Sequence, residues 1–400
     1  MSAEPVLITG AGCITAAGRN LPETMASLFA GTRSPAAPTR FRTDHPIAYP
    51  VFEIPDTWIA EQIPDASPHR RCADLGWIAS REALNMAALD ESGLPSARAG
   101  LCLGTVVGAA LEDEDFYTSF HAGGCPDVTP AERFLQANPA FMLHKRLGIT
   151  GPYMTVTTAC TSGAAAIAQA ASWIRAGVCD LVIAGGVEKL SRLSYDGFVS
   201  LMIADAEPCR PFDRDRKGLN LGEGAGVLIL ESETSARNRG APVLGRLLGE
   251  GNTCDAYHLS RPRPDGDGLR RAVQEALKQA GLGPPDIAFI NAHGTGTLDN
   301  DLMEGKLFAS MFPHTPFHST KGCAGHTLGA AGGIEAVLTL GCLREGRLPA
   351  SAGFTHPDPD VGATPVTDVT PVRGSVALST SVAYGGNNTA LIFARGPADE

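Results

Sequence analysis

One segment restricts the fold of this chain more than any other: a β-branched run, one cysteine and a small-residue stretch, "TVTTACTSGAAAIAQAASWIRAG" (155–177). β-Branched residues are typical of strands. The alanines after Cys160, with Ile167 and Ile174 at helical spacing, predict a helix that ends near Gly177. Cys160 is therefore expected in a turn between a strand and a helix.

Short apolar runs alternate with helical stretches in both halves of the chain, which predicts an α/β fold. The runs are "PVLITGAG", "AGLCLGTVVG", "YMTVTTAC", "DLVIAGG", "GAGVLILE", "VLGRLLGEG", "DIAFINAHG", "FHST", "SVALST" and "TALIFA". Continuous apolar runs such as "DLVIAGG" and "VLILE" are typical of buried parallel strands. The polar segment 231–242 separates the halves, so we expect two units, residues 1–235 with Cys160 and residues 240–400.

Bulk properties exclude several classes of protein. A net charge of −11 argues against nucleic acid as a partner. The chain begins without a basic segment ahead of an apolar core and contains no apolar run of about 18 residues, so we expect a soluble, cytoplasmic protein and no membrane partner. The ten cysteines include no C-x-x-C pair, which favours reduced thiols over disulfides or a zinc site.

The glycine-rich start "ITGAGCIT" imitates a nucleotide-binding loop. Gly10 and Gly12 follow a predicted strand, but Thr15 occupies the position of the third glycine, and no acidic residue follows about 20 positions later. The segment therefore does not predict a dinucleotide site. We expect these glycines to form a tight turn at the end of the strand.

The position of Cys160 suggests a nucleophile. At a helix N-terminus, unpaired N–H groups and the helix dipole favour an anion, so we expect a lowered thiol pKa and faster alkylation than at the other nine cysteines. The alternative is a small buried apolar side chain, which is the usual role of a free cysteine.

Three further segments carry groups that could serve this thiol. "INAHGTGTLDND" (290–301) places His293 after a strand, and "HSTKGCAGHTLGAAGGIEA" (318–336) contains Lys321 and His326 before a small-residue helix. Each histidine could instead be a structural hydrogen-bonding group. In "STSVAYGGNNTALIF" (379–393), glycines and asparagines interrupt a strand pair, as expected where backbone must approach another group closely.

Together these segments resemble a known family. "TACTSGAAAI", "NAHGTGT", "STKGCAGHTLGAAGGIEA" and "GGNN" occur in the order of the β-ketoacyl-acyl-carrier-protein synthases, and "ITGAGCITAAG", "CRPFDRDRKGLNLGEGAGVLILE" and "DAYHLSRPRPDGDG" extend the match. The resemblance implies a thiolase-like fold, with two similar α/β halves in an αβαβα arrangement. It also implies a homodimer paired near the strand before the cysteine, or a heterodimer with a related subunit.

The resemblance also implies a reaction and residue roles. The family transfers an acyl chain from acyl carrier protein to a cysteine and condenses it with malonyl carrier by decarboxylative Claisen condensation, in fatty-acid or polyketide and polyene synthesis. Cys160 resembles the nucleophile, and His293 and His326 resemble the pair that binds the malonyl thioester. Lys321 resembles the supporting lysine and Glu335 its acidic partner, although both could form a purely structural ion pair.

The same resemblance suggests how the site is completed. Backbone N–H groups of Cys160 and Tyr384 would form an oxyanion hole in the loop that contains Gly385 and Gly386. The family's usual Phe-Gly-Phe is replaced by Val382–Tyr384, so gating is expected to differ. Val107 falls near the acyl pocket.

The resemblance implies neither a metal nor a nicotinamide cofactor, because the substrates carry phosphopantetheine on acyl carrier protein. An acidic carrier would need a basic docking patch, for which the candidates are Arg70, Arg71, Arg210 and Arg214. These arginines could equally contact only solvent.

Two other functions are considered. A chain-length-factor-like subunit has the same fold without catalysis but normally lacks the cysteine, whereas this chain has Cys160 and both histidines. A thiolase needs a second cysteine near the C-terminal glycines, but the last cysteine here is Cys342, before "GGNN".

Overall fold

The computed structural model describes residues 4–108, 114–124, 127–129, 131–132 and 138–397. Twelve strands occur in these ranges: β1 Val6–Thr15, β2 Ala99–Gly104, β3 Tyr153–Val156, β4 Leu181–Glu188, β5 Gly224–Ser232, β6 Gly245–Cys254, β7 Phe289–Asn291, β8 Phe317–His318, β9 Arg347–Leu348, β10 Thr370–Pro371, β11 Val376–Val382 and β12 Asn387–Arg395. Each apolar run identified in the sequence overlaps one of these strands.

Helices connect most of the strands. They are α1 Leu21–Ala30, α2 Asp56–Gln62, α3 Arg71–Met86, α4 Glu114–His121, α5 Pro139–Arg146, α6 Ser162–Arg175, α7 Arg192–Ser200, α8 Glu233–Arg239, α9 Asp267–Ala280, α10 Leu298–Met311, α11 Lys321–Ala324 and α12 Ala331–Glu345. Short 3-10 segments occur at Pro68–Arg70, Glu91–Ser96, Pro284–Asp286, Leu328–Ala330 and Tyr384–Gly386. In this described part of the chain, no helix combines the length and apolar character needed to cross a membrane.

Ten of the strands form one sheet with an internal symmetry. The order is β3-β2-β4-β5-β1-β6-β12-β11-β7-β8. From either outer edge to the centre, the strands are the third, second, fourth, fifth and first of their half, leaving aside the separate β9–β10 pair. In each half the outer strands are parallel and the inner ones antiparallel. β1 and β6 join the halves through a short antiparallel ladder.

The layers follow from which face of each strand is covered. Helices α6 and α12 contact strands of both halves, whereas α3 covers the other face of the first half and α9 that of the second. Alternate residues confirm the two faces: Val182 packs with α6 and α12, while Ile183 packs with α3. The two halves of the sheet therefore form two β layers with α6 and α12 between them and α3 and α9 outside, which is the predicted αβαβα arrangement.

Two expectations about strands were wrong. Gly10 and Gly12 lie inside β1 rather than in a turn, and a Cβ atom at Gly10 would be 2.0 Å from the carbonyl oxygen of Ala83 in α3. Close helix–strand packing therefore explains these glycines. β5, which contains "VLILE", is antiparallel to both neighbours, because burial on both faces produces an apolar run whatever the strand direction.

The described cysteines form no disulfide. Nine are free thiols, and eight of these are buried. The tenth, Cys125, lies outside the described residues.

Candidate active site

Three of the predicted catalytic side chains meet in one cleft. Cys160, His293 and His326 line a cavity of about 330 Å³ together with Phe198 and Tyr384. The two histidine rings are perpendicular, with centroids 5.2 Å apart. The cleft therefore brings together residues from both halves of the chain.

Cys160 lies in the predicted turn, two residues before α6 begins at Ser162. The preceding residue, Ala159, has φ of +54°, a left-handed conformation that is costly for a residue with a Cβ atom. Hydrogen bonds hold this turn: the Thr158 N–H donates to Ser162 Oγ at 2.9 Å, and the Ser162 hydroxyl donates to the Ala159 carbonyl at 2.6 Å. The local structure thus stores strain to aim the thiol into the cleft.

The expected low pKa of the Cys160 thiol was wrong. Burial raises the pKa of Cys160 to about 12, although Lys321 and the backbone N–H of Tyr384 act in the opposite direction. The helix N-terminus does not compensate for the removal of water from a side chain that is only 6% exposed. The resting residue is therefore a neutral thiol.

His326 is the direct partner of this thiol. Its Nε2 lies 3.2 Å from Cys160 Sγ. Burial, and to a lesser extent Lys321, lower its pKa well below the usual value, so the ring is neutral. Its Nδ1 has no hydrogen-bond partner in the described part of the chain. Hydrogen bonding at Nδ1 therefore does not fix which ring nitrogen carries the proton.

His293, in contrast, has a defined tautomer. The Lys321 ammonium donates to His293 Nδ1 at 3.2 Å and also contacts the His293 carbonyl and Glu335 Oε1. Because an ammonium can only donate, Nδ1 must accept, and the ring proton is assigned to Nε2. Burial, followed by the charge of Lys321, lowers the pKa of His293 well below its usual value. His293 is therefore a neutral N–H donor.

The loop after β11 closes one side of the cleft. The backbone N–H of Tyr384 faces Cys160, and its ring stacks on Phe198 with centroids 5.8 Å apart. Phe198 in turn packs edge-on against His326. Gly385 and Gly386 have φ values of +80° and +82°, which residues with a Cβ atom rarely adopt. These glycines let the backbone turn directly beside the thiol.

The sequence analysis missed two acidic residues that hold the His293 loop. Glu304 accepts the N–H groups of His293 at 2.9 Å and Gly294 at 2.7 Å, and burial raises its pKa to about 7. Asp301 accepts the N–H groups of Thr295 and Gly296. The available signal was a pair of acidic residues, three positions apart, at the start of the helix that follows a glycine-rich loop.

Val107, the predicted pocket residue, is half-buried and packs against an apolar cluster that Phe198 also contacts. It is not among the residues that line the cleft around Cys160. Its backbone N–H donates to buried Glu188, a third acidic residue that the sequence analysis did not single out.

The predicted docking arginines are not equivalent. Arg71 was a wrong choice, because it is 4% exposed and pairs with buried Glu223, so a partner protein cannot reach it. Arg70, Arg210 and Arg214 are exposed enough for contact but already face Asp65, Glu207 and Asp215 in turn.

One group of side chains has the spacing of metal ligands. In the described ranges, Asp213, Asp215 and His356 have ligand atoms within 4.8 Å of one another. The Asp213 carboxylate already accepts N–H groups from Asp215, Thr355 and His356, and none of the three ligand residues lines the cleft. The arrangement is a hydrogen-bonded turn.

Comparisons with known proteins agree with this geometry. The β-ketoacyl synthase N-terminal domain matches residues 3–236, and the C-terminal domain of the same family matches residues 244–355. A 3-oxoacyl-[acyl-carrier-protein] synthase 2 from Synechocystis sp. is 36% identical over 97% of both chains.

Solved structures extend the similarity to the whole fold. The ishigamide ketosynthase/chain length factor is 30% identical, with a TM-score of 0.91 over 98% of this chain and all of that chain. A ketosynthase in complex with its chain length factor from Xenorhabdus doucetiae is also 30% identical, with a TM-score of 0.80 over 98% of both chains. The fold is therefore thiolase-like. More specifically, the chain belongs to the β-ketoacyl synthase family, as its motifs predicted.

Proposed function

We propose that this chain is a catalytic β-ketoacyl-acyl-carrier-protein synthase in which Cys160 takes the acyl chain and His293 and His326 bind the malonyl thioester. The observation that carries the proposal is the 3.2 Å contact between Cys160 Sγ and His326 Nε2, beside a second neutral histidine in one cleft. A non-catalytic subunit would not need a thiol, a base and a fixed N–H donor at one point.

Acyl transfer begins from a neutral thiol. As Cys160 Sγ attacks the carbonyl carbon of the acyl thioester, its proton passes to Nε2 of His326. The tetrahedral oxyanion accepts the backbone N–H groups of Cys160 and Tyr384. When it collapses, the carbon–sulfur bond to phosphopantetheine breaks and the departing thiolate takes the proton from His326. General-base assistance replaces the low thiol pKa that we expected from sequence.

Decarboxylation uses the histidines as donors. Loss of carbon dioxide from the malonyl thioester leaves an electron pair that becomes an enolate, whose oxygen accepts N–H groups from His293 and His326. The His326 ring proton lies on Nδ1 while Nε2 accepts the thiol proton, and it must lie on Nε2 in this step; Nδ1 has no hydrogen-bond partner among the described residues that would oppose the change. Lys321 positions His293 by occupying Nδ1, and Glu335 balances the lysine charge. Neutral donors suit this step because they stabilise the developing charge without first forming an ion pair with the malonyl carboxylate.

Condensation completes the cycle. The enolate carbon attacks the acyl carbonyl on Cys160, and the tetrahedral intermediate returns to the same oxyanion hole. Its collapse breaks the Cys160 thioester and releases a β-ketoacyl carrier, after which the thiolate takes up one proton from solvent, the proton that the overall reaction consumes. The malonyl carboxylate supplies the carbanion, so this sequence of steps requires no resident cofactor.

The mouth of the cleft supports a revised docking site for acyl carrier protein. Met202 and Leu298 line the cleft and are 89% and 58% exposed, and Leu259, which is 83% exposed, directly precedes Ser260 in the lining. Lys217 and Arg261 line the same opening and are exposed, and Lys217 lies 4.0 Å from Glu207, farther than the carboxylates that face Arg70, Arg210 and Arg214. An apolar rim with positive charges fits an acidic carrier whose prosthetic arm must enter here. Arg210 and Arg214 remain secondary candidates.

We also propose two structural repeats, residues 1–235 and 240–400, and assembly with a second chain. Strand β3 forms an outer edge of the sheet, and Tyr153 and Met154 on it are 46% and 39% exposed. An exposed edge strand pairs readily with another strand. The partner is a second copy or a related subunit, and light scattering of the purified chain distinguishes these cases. A reducing compartment such as the cytoplasm suits its free thiols.

The test separates the roles of the thiol and the histidines. Cys160→Gln should abolish acyl-enzyme formation and condensation but leave decarboxylation of malonyl carrier measurable. His293→Ala or His326→Ala should lower carbon dioxide release by roughly 10²–10³-fold, the loss expected for one oxyanion donor. His293→Ala should affect acylation less, because its ring does not contact the thiol.

Carbon dioxide release and mass-spectrometric detection of acyl-Cys160 are measured in parallel. Cys342→Ala is the matched control, because Cys342 is buried outside the cleft. If Cys160→Gln releases no carbon dioxide while both histidine variants decarboxylate normally, this division of roles is wrong.

A further inference from the structure

Glu188 is a buried carboxylate at the end of β4 that binds two separate backbone segments. Its Oε1 accepts the N–H groups of Val107 and Gly108, each at 3.2 Å, and its Oε2 accepts the Val106 N–H at 2.6 Å. From the other half of the chain, the Gly329 N–H donates to Oε2 at 3.2 Å. One side chain therefore joins the 105–108 loop to the turn that follows His326.

The hydroxyl of Thr105 strengthens the same arrangement. Thr105 Oγ1 donates to Glu188 Oε1 at 3.1 Å and accepts the Gly108 N–H at 3.0 Å. The loop is thus held through three consecutive N–H groups and one hydroxyl. Burial raises the pKa of Glu188 to about 7, while these donors favour the ionised form.

The two joined segments are also in direct contact. A Cβ atom at Gly329 would be 2.6 Å from backbone atoms of Thr105 and Val106, so the segments cannot move independently. Leu328, beside Gly329, adopts φ of +48° and belongs to the apolar cluster against which Val107 packs. Phe198, which contacts the His326 ring, packs against this cluster as well.

We propose that Glu188 is a positioning residue for acyl-chain specificity: its carboxylate fixes the 105–108 loop, and with it Val107, relative to His326 and Cys160. This inference rests on the proposed function. Glu188 itself touches no reacting atom in this scheme. It sets the position of the apolar cluster against which Val107 packs, and this cluster reaches the cleft around Cys160 through Phe198, Ile203 and Leu219. The loss of Glu188 therefore alters which acyl chains fit more than it alters the chemistry of the thiol.

Glu188→Gln tests this idea with almost no change in size. The amide of glutamine presents one oxygen and one NH₂ group to the five donors that surround Glu188. The donors that face the NH₂ group therefore lose their acceptor. We expect the ratio of kcat/KM for acylation of Cys160 by short-chain and long-chain acyl carriers to change by about 10-fold or more, mainly through KM. Glu188→Asp keeps the charge and should restore part of the original ratio.

The matched control is Glu231→Gln. Glu231 is also fully buried and lies in β5, the strand adjacent to β4. In the β4–β5 ladder, Glu231 is opposite Leu181 at one end, whereas Glu188 is opposite Gly224 at the other end. Glu231 is therefore far from the 105–108 loop along the strands, and its carboxylate pairs with Arg239. Its loss can lower the melting temperature but should leave the chain-length ratio unchanged.

Thr105→Val gives a second test that retains Glu188 and decides the question if Glu188→Gln does not fold. Removing the hydroxyl should shift the ratio in the same direction and by a smaller factor. An unchanged ratio in a folded Glu188→Gln, or in Thr105→Val, overturns the inference while leaving the proposed function intact. Absence of acyl-Cys160 in the unmodified protein would instead refute the proposed function.

Discussion

His318 provides a quantitative test of how burial acts in this fold. It lies in β8, is 1% exposed, and neither ring nitrogen has a hydrogen-bond partner in the described part of the chain. Its ring packs against Phe289, with centroids 6.2 Å apart. A neutral imidazole carries one donor and one acceptor. Leaving such groups buried and unpaired costs about 1–3 kcal/mol, so His318→Leu should stabilise the fold at neutral pH.

The pH dependence of stability gives a sharper number. Burial lowers the pKa of His318 to about 3, whereas an unfolded histidine titrates near pH 6.5. As the pH falls, the unfolded chain therefore binds this proton before the folded chain does. The contribution of His318 to the free energy of unfolding is fully present above about pH 6.5 and is lost as the pH falls toward 3. For this one group, the loss at pH 5 is about 2 kcal/mol. His318→Leu should remove that contribution, so its advantage over the unmodified protein grows by about 2 kcal/mol between pH 8 and pH 5.

The assay is urea unfolding at pH 8, 7, 6 and 5, followed by circular dichroism and tryptophan fluorescence. Buried His293 and His326 also lower the stability of the fold in acid. Their contributions are the same in the unmodified protein and in His318→Leu, so they cancel in the difference between the two. His314→Leu is the control, because His314 is an exposed histidine four residues away. Parallel stability curves for the unmodified protein and His318→Leu would refute the reasoning, since they require His318 to gain a proton equally in both states.

Three further predictions concern the active site. Iodoacetamide at pH 7.5 should modify exposed Cys254 before Cys160, because burial keeps the Cys160 thiol protonated; preferential labelling of Cys160, read by peptide mass spectrometry, would contradict this. Glu304→Gln should slow malonyl decarboxylation by about 10²-fold through misplacement of His293, with less effect on acylation, and equal losses would argue for general unfolding. Charge reversal at Lys217 and Arg261 should raise KM for acyl carrier, most strongly at low salt, and an unchanged KM would exclude this docking site.

Much of the fold could be predicted locally. The apolar runs, the small-residue helix after Cys160 and its end near Gly177 depend on neighbouring residues, and the structure has α6 at Ser162–Arg175 followed by a left-handed Gly177. The direction of β5 could not be predicted in this way. Its apolar run reports burial on both faces, and burial does not depend on whether the neighbouring strands are parallel.

For the site, the sequence was informative about the motif residues and uninformative about the docking arginines. Motif order predicted Cys160, His293 and His326 as site residues, and the structure places them in one cleft with Lys321 beside His293. The family that the motifs indicated is confirmed. Nothing in the local sequence distinguished Arg71 from Arg70, yet one is buried against Glu223 and the other is exposed. Arg70 ends a 3-10 segment and Arg71 begins α3, so these neighbouring side chains meet opposite environments, and only tertiary packing decides which of them is buried.

By itself, the sequence determined the family and located most of the strand and helix segments, and it predicted which side chains react, because these inferences depend on residue type, spacing and order along the chain. The tertiary structure alone decided the charge state of Cys160 and the contacts that place Glu188 and Glu304. The raised thiol pKa reflects the loss of water around a side chain enclosed by both halves. Glu188 likewise accepts the N–H of Gly329, which lies 141 positions away along the chain. Desolvation and long-range contacts arise only when distant segments pack together, so no local pattern can report them.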